Sequence, residues 1–200
     1  MLITILVNIF AFFVFLFIVW KRLKEDYSTE NVFTLCFVTA FGLVLGYLLA
    51  KFIAPLYWFW MEALGILFGF VFLAIKKGLK FYETFEALFI AFLTWFGIYW
   101  VFLFIKTPAI TSFLASFLIV SFIVLFYLLE GNYKDFTWYK SGRIGFAGLV
   151  TAGLFFLSRS AIASLFPFML SFSGKTEIYI SAVASFIMFL LVYNLSRNEK

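Results

Sequence analysis

The feature that most constrains this chain is an alternation: seven apolar runs of about twenty residues are separated by short segments that carry nearly all the charge. A bilayer core of about 30 Å is crossed by roughly 20 helical residues, because a helix satisfies its own backbone hydrogen bonds where no water can. The runs cover residues 2–20, 32–50, 56–75, 84–105, 110–129, 144–166 and 178–195. The expectation is an all-α, polytopic transmembrane bundle forming a single domain over 1–200.

Composition closes the alternative. With 66% hydrophobic and only 12% charged residues, the chain has too few polar side chains to cover a water-facing surface, for which about a quarter charged is usual. Lipid must therefore solvate most of its exterior. The first run could pass for a secretory signal, but no basic segment precedes it and its apolar stretch is too long, so it reads as a retained helix.

Basic residues give the orientation, since Lys and Arg collect in short cytoplasmic loops. Lys21, Arg22 and Lys24 follow the first run, Lys76, Lys77 and Lys80 the third, Lys134, Lys140 and Arg143 the fifth, and Arg197 and Lys200 the seventh. The other side has Lys51, Lys106 and Lys175, with Arg159 inside a span. Eleven of the fifteen thus share one side, predicting an N-terminus outside and a C-terminus in the cytoplasm. The net charge of +5 is then topology and contact with anionic lipid head groups, not nucleic-acid binding. Tyr57, Trp58 and Trp60 at the outer boundary and Trp138 and Tyr139 at the inner one are expected as interface anchors.

The chain has no His and a single Cys, Cys36, inside an apolar run. No disulfide framework can form within it, no metal site or cofactor is expected, and the usual neutral-pH general base is missing. Cys36 reads as a small buried hydrophobe.

Two features bear on packing and chemistry. Gly42 and Gly46, like Gly65 and Gly69, are four apart and present small surfaces on one helix face, so the second and third helices should pack closely, with Gly42 and Gly65 at similar depth. Ionisable residues inside spans are costly and need pairing or a function. Glu62 and Arg159 each lie roughly 9–10 Å below the outer boundary at about 1.5 Å per residue. They are expected to face the interior and to pair directly or through water, either as mutual neutralisation or as an anionic-lipid or substrate site. Tyr47 and Asn8 add hydrogen-bonding groups, Glu86 is expected to snorkel or pair with a loop, and residues 167–174 read as a re-entrant or interfacial tail.

The layout and local texture resemble the bacterial prolipoprotein diacylglyceryl transferases, seven-helix membrane enzymes with the N-terminus outside. Tyr27-Ser28-Thr29-Glu30-Asn31 after a basic segment is similar to that family's opening, and Gly42-Leu43-Val44-Leu45-Gly46-Tyr47 to its Gly-Ala-Arg-Leu-Gly-Tyr stretch. Met61-Glu62-Ala63-Leu64, running on to Lys76-Lys77-Gly78-Leu79-Lys80-Phe81, falls where the family has its His-Gly-Gly helix and basic loop. Gly153 to Arg159 is similar to its late Gly-x-x-Arg helix. The resemblance implies the bacterial cytoplasmic (inner) membrane, membrane lipids including phosphatidylglycerol and a lipoprotein precursor as partners, and transfer of a diacylglyceryl group from phosphatidylglycerol to a lipobox cysteine. On it, Arg159 and Tyr47 are candidates for holding lipid phosphate, and Glu62 is the one candidate for a catalytic proton acceptor.

The chain departs from the family where that chemistry would sit. Val44 stands in place of the Arg, Met61 in place of the His, Ala163 in place of a Glu, and residues 97–105 lack the Gly-Arg-x-Gly-Asn-Phe signature. The expectation is a diverged relative that has lost transfer and keeps a lipid-facing cavity. Its rivals are an active transferase with rearranged chemistry and a small transporter or membrane-complex subunit.

Overall fold

The computed structural model describes residues 2–135, 145–169 and 171–197. Seven helices account for nearly all of them: α1 (Leu2–Leu23), α2 (Thr29–Phe52), α3 (Trp58–Lys77), α4 (Phe81–Lys106), α5 (Ile110–Gly131), α6 (Phe146–Leu165) and α7 (Thr176–Arg197). Each is long and apolar enough to cross a membrane. Phe10, Phe13, Phe17, Phe37, Phe41 and Phe68 are all exposed on the outside, as a lipid-solvated belt requires. The protein is a multi-pass membrane protein built as an all-α bundle.

Most helices are longer than the apolar runs that announced them. α1 runs through Lys21 and Arg22, α2 begins at Thr29 and ends beyond Lys51, and α7 begins at Thr176. Crossing length sets the apolar stretch, but Lys, Arg and Glu are themselves good helix formers, so helices continue past the hydrocarbon. Local signals set the ends. Ser28 caps α2 by accepting from the Asn31 amide at 3.4 Å. Gly78, at φ 65°, takes the left-handed conformation that ends α3, and the Leu79 amide closes back on the Ala74 carbonyl at 3.0 Å.

Seven passes put the two chain ends at opposite ends of the bundle. The end of α1 meets the starts of α4 and α6 and the end of α5, which defines a basic end; Trp138, Tyr139, Lys140 and Arg143 lie outside the described residues. There Arg22 bridges Glu86 at 3.2 Å and Glu130 at 2.7 Å, and its guanidinium lies 4.6 Å from the Phe126 ring centre. Glu86 also accepts the Gly145 and Gly148 amides at 2.9 and 3.2 Å, so it neutralises Arg22 and caps the positive N-terminal end of α6. Beside this network the Tyr27 hydroxyl donates to Glu83 at 2.7 Å, while Lys80 pairs with the same carboxylate at 3.0 Å. Burial and the bond to Glu83 push the Tyr27 phenol above its usual range, and the Glu83 carboxylate raises the Lys80 ammonium.

α2 and α3 form the tightest pair. A Cβ on Gly42 would collide with the Gly65 carbonyl oxygen and one on Gly65 with that of Gly42; one on Gly46 would meet the Met61 carbonyl, and one on Gly69 would lie 2.7 Å from the Val38 carbonyl. Four glycines therefore let two backbones touch along several turns. α6 and α7 pack closely as well, through Gly153 against the Phe189 ring and the Ser185 hydroxyl donating to the Gly153 carbonyl at 2.8 Å. α4 and α6 are the most buried helices, which is why α6 can carry polar side chains that lipid would not tolerate.

Candidate functional site

At the end opposite the basic one, the two intramembrane ionisable residues do not meet. Arg159, 4% exposed on α6, is paired with Glu177 in the first turn of α7: Nε donates at 2.9 Å and Nη2 lies 2.8 Å from the same carboxylate oxygen. The expected pairing of Arg159 with Glu62 is thus corrected. The reason is geometric, since α7 starts two residues earlier than its apolar run, which turns Glu177 from a loop residue into a helix residue facing α6.

The Arg159 centre is closed on itself. Its remaining donors reach the Ser171 hydroxyl at 3.2 Å and the Ser171 carbonyl at 2.8 Å, and its guanidinium lies 3.8 Å from the Phe59 ring centre and 4.9 Å from that of Phe172. Glu177, fully buried, accepts from the Ser181 hydroxyl at 2.6 Å, the Trp60 indole at 2.9 Å, and the Ser173 hydroxyl and amide at 3.1 and 3.2 Å. A buried ion pair holds only when its remaining valences are satisfied, and here they are. The segment between α6 and α7 supplies them: Ser171, Phe172 and Ser173 are tucked inside while Phe168 points outward. The space beside Arg159 is about 40 Å³, room for a few water molecules and not for a lipid head group.

Glu62 occupies a different place. It lines a cavity of about 590 Å³, within the range of small-molecule sites. One side of it is formed by Asn8 of α1 with Leu43 and Tyr47 of α2. The other has Trp58 and Glu62 of α3 and the α4 face Phe92, Trp95, Phe96 and Tyr99. At about 1.5 Å rise per residue Asn8, Tyr47, Glu62 and Tyr99 lie within about 11 Å of the helix ends at the non-basic end, and Phe92 lies about 21 Å in. Among the described residues the Glu62 carboxylate makes no hydrogen bond or ion pair.

The cavity exists because of how the helices pair. α2 and α3 are locked together by glycines and α1 lies against α4, whereas α1 meets α2 and α3 meets α4 only lightly, which leaves space between the two pairs. Asn8 and Tyr47 are both exposed, which places the mouth between α1 and α2 on the side of the bundle. Toward the basic end the cavity is stopped by packed apolar side chains, with the Phe15 ring 6.0 Å from that of Trp95 and Phe15, Leu35, Phe70 and Ala91 all buried.

The structure thus separates the residues singled out from sequence. Glu62 and Tyr47 share the cavity, Arg159 is not in its lining, and the four glycines hold together the α2 and α3 segments that carry Tyr47 and Glu62. Two of the aromatics expected as boundary anchors face inward, Trp58 into the cavity and Trp60 onto Glu177. Glu86 is paired with Arg22 at the end of α1 and with the Gly145 amide in the segment that enters α6. Sequence reasoning missed Glu177 and the α4 aromatic face. The latter has a signal, because Phe92, Trp95, Phe96 and Tyr99 recur at three- and four-residue spacing along one stripe. Among the described residues no cluster of His, Cys, Asp or Glu could hold a metal, and Cys36 is buried against apolar neighbours. Comparison with family models, with curated proteins and with solved structures returned no match to the chain.

Proposed function

We propose that this protein binds a membrane amphiphile in the Glu62 cavity, as a diverged counterpart of the diacylglyceryl transferases it resembles, without their transfer reaction. The observation that carries this reading is the cavity: it reaches the surface at the exposed Asn8 of α1 and Tyr47 of α2, both within membrane-crossing helices, and is blocked toward the basic end by the apolar packing around Phe15. A lateral mouth with a closed floor suits a molecule that arrives from the bilayer and leaves the same way. It argues against the transporter reading, which needs a path through the packed region.

Loss of transfer is supported by chemistry. Moving a diacylglyceryl group onto a thiol requires help in forming thiolate and positive charge for the departing phosphate. Among the described residues the cavity lining has a carboxyl group but no cation, and Arg159 is held by Glu177 and Ser171. The bacterial cytoplasmic membrane, phosphatidylglycerol and a lipoprotein precursor belong to this reading through the resemblance alone.

The test is incubation of the purified protein with phosphatidylglycerol and a lipobox peptide, followed by mass spectrometry of both. The expected outcome is an unmodified peptide together with an amphiphile that remains bound to the protein through purification. A peptide that gains a diacylglyceryl group would replace this proposal with an active transferase. A protein that carries and accepts no amphiphile would remove the lipid reading.

A further inference from the structure

We propose that the Glu62 cavity selects an amphiphile whose head group is an organic ammonium. This rests on the amphiphile reading above and adds the charge and chemical class of the ligand.

Three observations converge. Among the described lining residues Glu62 carries the one carboxyl group, and no described residue makes a hydrogen bond or ion pair to it. None of the described cations at this end is in the lining: Arg159 is turned onto Glu177, Lys51 lies over the ring of Phe52, and Lys106 and Lys175 are exposed. Second, six of the nine described lining residues are aromatic, namely Tyr47, Trp58, Phe92, Trp95, Phe96 and Tyr99. Third, Phe92 and Phe96 are stacked in register, with ring centres 5.7 Å apart and planes within 10°.

A carboxylate among aromatic rings is the chemistry that holds quaternary and other organic ammonium ions. The rings attract the cation through their negative faces without hydrogen bonds, and the carboxylate supplies the counter-charge in a medium where water does not screen it. An anionic head group would meet the opposite arrangement, a carboxyl group with no Lys or Arg among the described lining residues to offset it. The Arg159 centre shows the contrast within this molecule, since there too a cation lies on Phe59 and Phe172, but its carboxylate is built in. At Glu62 the protein supplies the carboxylate and the rings, and the ligand would supply the cation.

The experiment uses the full chain in a neutral detergent and follows binding by the fluorescence of Trp58 and Trp95, with isothermal titration as a second readout. Dodecyltrimethylammonium, dodecyl phosphate and monododecanoylglycerol share a chain length and differ in head-group charge; tetramethylammonium tests the head group alone. The wild-type protein should bind the ammonium amphiphile at least about tenfold tighter than the neutral one and show no measurable preference for the phosphate. Glu62→Gln should bring the ammonium affinity down to the neutral level and leave the neutral amphiphile unchanged. If all three amphiphiles bind equally well to both forms, the ammonium class is overturned and the amphiphile reading stands. If tetramethylammonium binds as tightly as its dodecyl analogue, the ligand is a free ammonium and the amphiphile reading falls. If none binds, both fall. The comparison among ligands on wild-type protein decides the matter even if the variant fails to fold.

Discussion

Two carboxylates lie in the same half of this bundle, about the same distance from its non-basic end, and they live under opposite conditions. Glu177 is fully buried yet receives two side-chain hydroxyls, an indole, a backbone amide and a guanidinium. Glu62 is half-buried and borders a cavity without a bond to any described residue. The first is a structural element, because every group that could attract an outside molecule is already used. The second has the free valences that recognition needs. In a low-dielectric setting it is therefore the state of a charge's partners, and not its depth, that separates a stabilising feature from a binding one.

The comparison can be broken most directly at Arg159. Arg159→Met should strand Glu177 in the interior and cost about 3–5 kcal/mol, seen as a large fall in the unfolding midpoint in neutral detergent. Combining it with Glu177→Gln should recover at least about half of that loss, because no bare charge remains. A double variant no better than the single would show that the network stabilises through something other than mutual compensation.

A somewhat smaller effect is expected at the glycine seam. Gly65→Val places a branched side chain against the Gly42 carbonyl and should destabilise by about 1–3 kcal/mol or more by forcing α2 and α3 apart. Gly131→Ala, with nothing within 4 Å of the added carbon, should fall within about 1 kcal/mol of wild type and on the stabilising side. The same separation of α2 from α3 would displace Tyr47 relative to Glu62, so Gly65→Val should also weaken whatever binds in the cavity, while Gly131→Ala should not.

Glu62→Gln sharpens the comparison from the other side. With no partner to lose, the variant should unfold within about 1 kcal/mol of wild type or higher, the reverse of Arg159→Met. A large destabilisation would mean that Glu62 is part of the scaffold after all.

The smallest effect belongs to the basic end. Tyr27 donates to Glu83, and its phenol is raised above the ordinary value near 10. The sign follows from linkage: the folded state holds this proton more tightly, so its contribution is whole below about pH 10 and is lost as pH rises through the raised value. Tyr27→Phe should lower stability modestly at neutral pH and flatten the alkaline decline, in an unfolding series from pH 8 to 12.

The legibility of these regions in the sequence differs in the same way. Seven spans, their order and the basic end follow from the length of apolar runs and the placement of Lys and Arg, because hydrophobic thickness and loop charge are properties of segments taken singly. The α2–α3 contact was legible too, since Gly42, Gly46, Gly65 and Gly69 have a helical spacing that a short turn brings into register. The centre around Arg159 was not. Glu177 lies just before an apolar run, and only the two residues that α7 gains there bring it to Arg159.

What the sequence determined by itself is therefore the membrane, the number of crossings and one helix pair, all consequences of solvent and spacing. Only the tertiary structure decided that Arg159 takes Glu177 instead of Glu62, and that Tyr47, Trp58 and the α4 aromatic stripe surround the carboxylate left over. Hydropathy fixes how deep a residue sits but not which way its helix is turned. Which side chains meet depends on that rotation, and rotation is set by packing between helices far apart in the chain.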